Sequence, residues 1–70
     1  MRETVLNQAT SWGFVCEEDT QGTWHILPRQ PTERWRMKLV GDRWLLLVDD
    51  VPQINLHPDE AITFLERRCC

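Results

Sequence analysis

Arg34, Arg36, Lys38 and Arg43 fall inside the stretch RWRMKLVGDRW, which holds half of the chain's 8 basic residues and two of its 4 tryptophans. A row of cations on one side of a strand can grip the phosphates of a nucleic-acid strand, or form the wet, interacting side of a packed hairpin. Arg29 could lengthen the row. The carboxylates gather elsewhere, at Glu17, Glu18 and Asp19 and at Asp49, Asp50, Asp59 and Glu60. Neither group sits beside a recognisable nucleophile or a glycine-rich phosphate loop, so no catalytic residue is assigned and a non-enzyme is expected. His25 and His57, with Cys16, Cys69 and Cys70, have no metal-ligand spacing, and neither a metal nor another cofactor is expected.

A formal net charge of −3 and a pI near 5.2 work against a protein built mainly to hold nucleic acid. With 41% hydrophobic and 27% charged residues, the 70 residues describe one soluble domain spanning 1–70. A chain of this size buries roughly 60% of its unfolded surface and stands near the lower limit of independent stability. Three cysteines, two of them adjacent, supply no disulfide framework and favour a reducing compartment. The longest apolar run, WLLLV, is far short of the ~20 residues of a membrane helix, and no secretory leader pattern opens the chain. A cytoplasmic protein without membrane contact is expected. The terminal Cys69-Cys70 matches a prenylation signal in form, but no phosphate-binding glycine loop accompanies it, and the pair reads as a tail with two free thiols.

The elements that must carry these residues follow from periodicity. Val5, Leu6, Ala9 and Trp12 recur at helical spacing with Gly13 as a stop, giving a helix over about 2–12. GFVCEED and TWHILPR flank TQG and read as a first hairpin, with strands over about 14–19 and 23–28 and with Phe14, Cys16, Trp24 and Ile26 on one side. Its register depends on the loop length. Strands over about 34–40 and 43–48 form a second hairpin around Gly41-Asp42, where a leading glycine suits a type II′ turn. That turn puts Trp35 opposite Val48, Met37 opposite Leu46, and Leu39 opposite Trp44. It leaves Arg34, Arg36, Lys38 and Arg43 with Leu45 and Leu47 on the other side. DDVPQI reads as a connection. Pro58 at the first helical position, Asp59 and Glu60 in the first turn and Arg67 and Arg68 in the last define a helix over about 58–68, with Ala61, Ile62, Leu65 and Cys69 as its apolar stripe. The expected fold is α+β: a four-stranded antiparallel sheet of two hairpins, with its tryptophan-rich side under an N-terminal and a C-terminal helix.

Four strands followed by a helix, with a strand end INL leading into the acid-started helix HPDEAITFL, resemble the single-stranded-DNA-binding fold of the transcriptional coactivator and Whirly group. The resemblance covers residues 14–68 in topology and QINLHPDEAITFL in sequence. It implies a dimer whose curved sheet offers basic and aromatic residues to a nucleic-acid strand, the basic positions here being Arg34, Arg36, Lys38 and Arg43, with Arg29 possible. The tryptophans depart from that pattern, because the predicted register turns Trp24, Trp35 and Trp44 inward, away from any base.

Two functions stay open. One is an uncharacterised small non-enzymatic interaction module, a homodimer or a binder of another protein, that uses the open sheet face or a helix. Leu27, Leu45 and Leu47 are its candidate contacts, because aliphatics among long cations suit an interface. The alternative is a single-stranded nucleic-acid binder using the cationic face. Net acidity and inward rings favour the first.

Overall fold

The computed structural model describes residues 2–69. The first helix, α1 (Arg2–Ser11), ends because Gly13 takes a φ of 89°, which a side chain would oppose. The Phe14 N–H then donates to the Ala9 carbonyl at 2.9 Å and the Gly13 N–H to that of Thr10 at 3.0 Å. This paired closure satisfies two terminal carbonyls and brings Phe14 back onto Ala9, both of them buried.

Five antiparallel strands follow: β1 (Val15–Glu18), β2 (Trp24–Leu27), β3 (Trp35–Val40), β4 (Arg43–Val48) and β5 (Val51–Leu56), side by side in chain order. The second helix, α2 (Pro58–Cys69), closes the fold. Its first turn is held by Glu60, whose carboxylate accepts the His57 N–H at 2.8 Å, and its last turn carries Arg67 and Arg68. The terminal Cys69-Cys70 pair runs out of the described residues at Cys70.

β3 and β4 pair in the register the alternation predicts, from Trp35 opposite Val48 to Val40 opposite Arg43, around Gly41 at φ 63°. β1 and β2 pair Cys16 with Ile26 and Glu18 with Trp24 around the TQG loop. The expected four-stranded sheet is corrected by β5. Asp49 and Asp50 both adopt positive φ, 53° and 66°, and form the tight turn that aspartate tolerates better than most side chains. The chain therefore reverses at once, and Val51 lands opposite Val48. Pro52 does not prevent this, because β5 is an edge strand, and a bulge between Leu46 and Leu47 absorbs the irregularity.

One side of the sheet carries both helices. Val5, Ala9, Phe14, Ile26, Trp35, Met37, Trp44, Ala61 and Leu65 are buried between the layers, with Trp12, Trp24 and Phe64 packed against them. All 6 aromatic residues thus join one cluster. Trp35 meets Phe14 edge-on at 5.7 Å and Phe64 at 5.2 Å, and its indole N–H donates to Glu33 at 3.1 Å. Trp44 is fully buried with its indole nitrogen unpartnered among the described residues, so its contribution is area rather than hydrogen bonding.

A chain of this length has roughly 4–10 kcal/mol of stability at about 0.05–0.15 kcal/mol per residue. Trp35→Ala should cost about 3–5 kcal/mol, and urea titration followed by near-ultraviolet circular dichroism should show most of the cooperative transition gone. A variant with an unchanged midpoint would contradict the placement of Trp35.

Candidate interaction face

Alternation fixes what stands on the side without helices. His25 lies opposite Lys38, Lys38 opposite Leu45, and Arg36 opposite Leu47, so these side chains share the uncovered face with Leu27 and Val40. The structure brings together Arg34, Arg36, Lys38, Arg43, Leu27 and Leu45 there. It removes two others from the expected set. Leu47 is only 7% exposed, because its neighbours across the sheet are Arg36 and Pro52, whose methylene stem and ring shield it. Arg29 is not on this face. β2 ends at Leu27, Pro28 breaks the alternation, and the Arg29 guanidinium lies 5.8 Å from the Phe14 ring centroid while donating to the Cys69 carbonyl at 3.1 Å. Arg29 ties the β2 exit to the end of α2.

Three arginines of the face have aspartate partners. Arg34 reaches Asp49 at 3.4 Å, Arg36 reaches Asp50 at 3.2 Å and Arg43 reaches the adjacent Asp42 at 3.8 Å. The pairs are solvent-exposed and each adds at most about 1 kcal/mol. Their larger effect is on the field, since a cationic row with matched aspartates no longer presents net positive charge. Lys38 alone among these cations has no carboxylate partner within the described residues.

From the sequence, Asp49 and Asp50 read as the start of a connection and as carboxylates without a nucleophile beside them. The structure makes them the turn that builds β5 and the counter-charges of Arg34 and Arg36. The signal for this role was their position, immediately after an alternating strand and immediately before another apolar residue. Together they line an open cleft of about 600 Å³ between the end of β2 and the start of β3, walled by Leu27, Pro28 and Pro31. Within the cleft no nucleophile is hydrogen-bonded to a base among the described residues. No group of three His, Cys, Asp or Glu side chains among them converges as a metal site. Among the described residues no helix is long and apolar enough to cross a membrane.

At the far end of the face, Asp19 organises the first hairpin. One carboxylate oxygen accepts the Gln21 and Thr23 N–H groups, each at 2.9 Å, and the other accepts the His25 Nε2–H at 2.9 Å. The His25 hydrogen bond first, and the Thr23 N–H second, lower the Asp19 pKa from 3.8 to about 2. His25 is thereby pinned beside Lys38, with 16% of its side chain exposed.

No family model matches the chain, and neither a curated protein nor a solved structure shows significant similarity to it.

A carboxylate whose pKa is depressed by folding stabilises the native state fully above its unfolded value and loses that contribution as pH falls through its folded one. For Asp19 the window runs from 3.8 down to about 2. Carbon-detected NMR titration should place its midpoint near the lower figure. Asp19→Asn should make stability less steep against pH across that window, by up to one bound proton. A midpoint at the ordinary aspartate value would remove the His25 contact.

Proposed function

We propose that this protein is a non-enzymatic interaction module that receives a polypeptide partner on its uncovered sheet face. The observation that carries this reading is the pairing of Arg34, Arg36 and Arg43 with Asp49, Asp50 and Asp42. A surface built to hold a polyanion keeps its cations unmatched and offers rings for stacking. Here the charges are balanced, and every aromatic ring belongs to the cluster on the opposite side. What the face does offer is half-buried Leu27 and Leu45, Val40 at 48% exposure, and the ammonium of Lys38, unpaired among the described residues. A partner that lays aliphatic side chains along the leucines and a carboxylate against Lys38 fits this pattern. The Pro28 and Pro31 walls of the adjacent cleft would hold the end of such a segment at little entropic cost.

A photo-crosslinking amino acid at position 45 should trap one defined polypeptide in cells, and the same group at exposed Thr20 should not. Lys38→Glu should abolish the adduct. The competing nucleic-acid function is tested by titrating a labelled single-stranded oligonucleotide at low salt. Affinity falling with salt at a slope of about −0.7 per contacted phosphate, and weakened by Arg36→Gln with Lys38→Gln, would replace the protein-contact reading. No binding at low salt is the expected result.

A further inference from the structure

Val48, Val51 and Ile54 remain 39%, 56% and 54% exposed, and all three lie on the helix-bearing side of the sheet. Across the β4–β5 hairpin Val48 faces Val51, and Ile54 faces Leu46, so they form one apolar corner that α2 does not cover. An open groove of about 430 Å³ follows α2 on the side of Leu56, the last residue of β5. It is lined by Leu56 and Phe64, with Asp59 and Glu60 at one end and Arg67 and Arg68 at the other.

We propose that this groove and corner are the contact with a second copy of the chain, the two α2 helices lying antiparallel across a twofold axis near Thr63 and Phe64. The argument is self-complementary charge. Glu60 and Arg67 are about two helical turns apart and so share one side of α2. The midpoint between them falls between Thr63 and Phe64. An antiparallel copy therefore sets Glu60 against Arg67 of the second copy, and does so twice, while the helix dipoles oppose. Groups are available for this. Glu60 gives one carboxylate oxygen to the His57 N–H, which leaves the other. Arg67 is exposed and has no partner among the described residues, whereas Arg68 is held over the Phe64 ring at 3.7 Å.

The β5 edge itself is a poor template for strand addition. Pro52 has no N–H, and the bulge disturbs the ladder beside it. The contact must then be made by side chains, and exposed apolar ones stand at Val51 and Ile54. A standard interface removes ~800 Å² per partner, about a sixth of the 4672 Å² this chain exposes. That is a large cover for a small domain. The surface lies on the opposite side of the sheet from Leu45 and Lys38, so it stands independently of the proposed partner face.

Sedimentation equilibrium over a wide concentration range tests the inference on the intact chain. A reversible monomer–dimer equilibrium is expected, with Kd raised on the order of tenfold or more by Arg67→Glu and by Ile54→Ser. Both positions are exposed, and circular dichroism checks that each variant is folded. The double variant Glu60→Arg with Arg67→Glu should regain the dimer. Lys38→Gln should leave Kd unchanged. A monomer at every concentration overturns the inference, as does a dimer indifferent to both single variants. A folded double variant that stays monomeric overturns the antiparallel pairing.

Discussion

The position of the Trp35 ring constrains the rest of the molecule. It stands between Phe14, delivered by the closure of α1, and Phe64, delivered by α2, at 5.7 and 5.2 Å. Three segments distant in sequence meet on this one side chain. Edge-to-face pairs of this kind add only about 0.5–1.5 kcal/mol each beyond the area they bury. Their geometric effect is greater, because side chains alternate along an unbulged strand such as β3, and burial of one face fixes which set points inward. With Trp35 inward, Met37 and Leu39 must be inward and Arg34, Arg36 and Lys38 must be outward. The β4 register then turns Trp44 and Leu46 inward as well.

The uncovered face is a direct consequence. An antiparallel sheet tolerates one face without a second layer provided that face is not a large continuous apolar patch. Here long cations stand across from leucines, Arg36 beside Leu47 and Lys38 beside Leu45, and their stems cover aliphatic surface while their heads stay wet. The Asp49-Asp50 turn adds charge balance. Two consecutive aspartates at positive φ each carry a conformational cost that asparagine-glycine would largely avoid. Their pairing with Arg34 and Arg36 offsets part of it, and also balances the charge at that end of the face.

Much of this architecture was legible in the sequence, for reasons that are local. The second hairpin was fixed by strict alternation on both sides of Gly41-Asp42, and α2 by proline, acids and bases at its two ends. Beyond the strand end INL, β5 was not legible as a fifth strand, since Asp-Asp lacks the glycine that marks tight hairpin turns and Pro52 argues against a strand unless it lies at an edge. Arg29 was misplaced because alternation carries positional information only while the strand lasts, and β2 stops two residues earlier. Leu47 was assigned to a contact because sequence gives the side a residue points to, not how well its neighbours cover it. Phe64 was missed as a core ring because it flanks the stripe centred on Ala61 and Leu65.

The two edges of the sheet complete the logic. β1 is four residues long and ends in Glu17 and Glu18, so a strand approaching it meets charge. β5 is six residues long with no charge at all, the profile of an adhesive edge, yet it contains Pro52 and a bulge. Both edges therefore resist open-ended pairing, each by a different device. What remains exposed on the β5 side is apolar side-chain surface rather than unpaired backbone. Side-chain surface can be buried against another folded surface without adding strands, and such a contact can close on itself by a twofold instead of propagating. The two sides of the one sheet thus differ in composition. The helix-bearing side concentrates rings and uncovered valine and isoleucine, where burial dominates, and the bare side carries paired charge among leucines, with Lys38 left unmatched among the described residues.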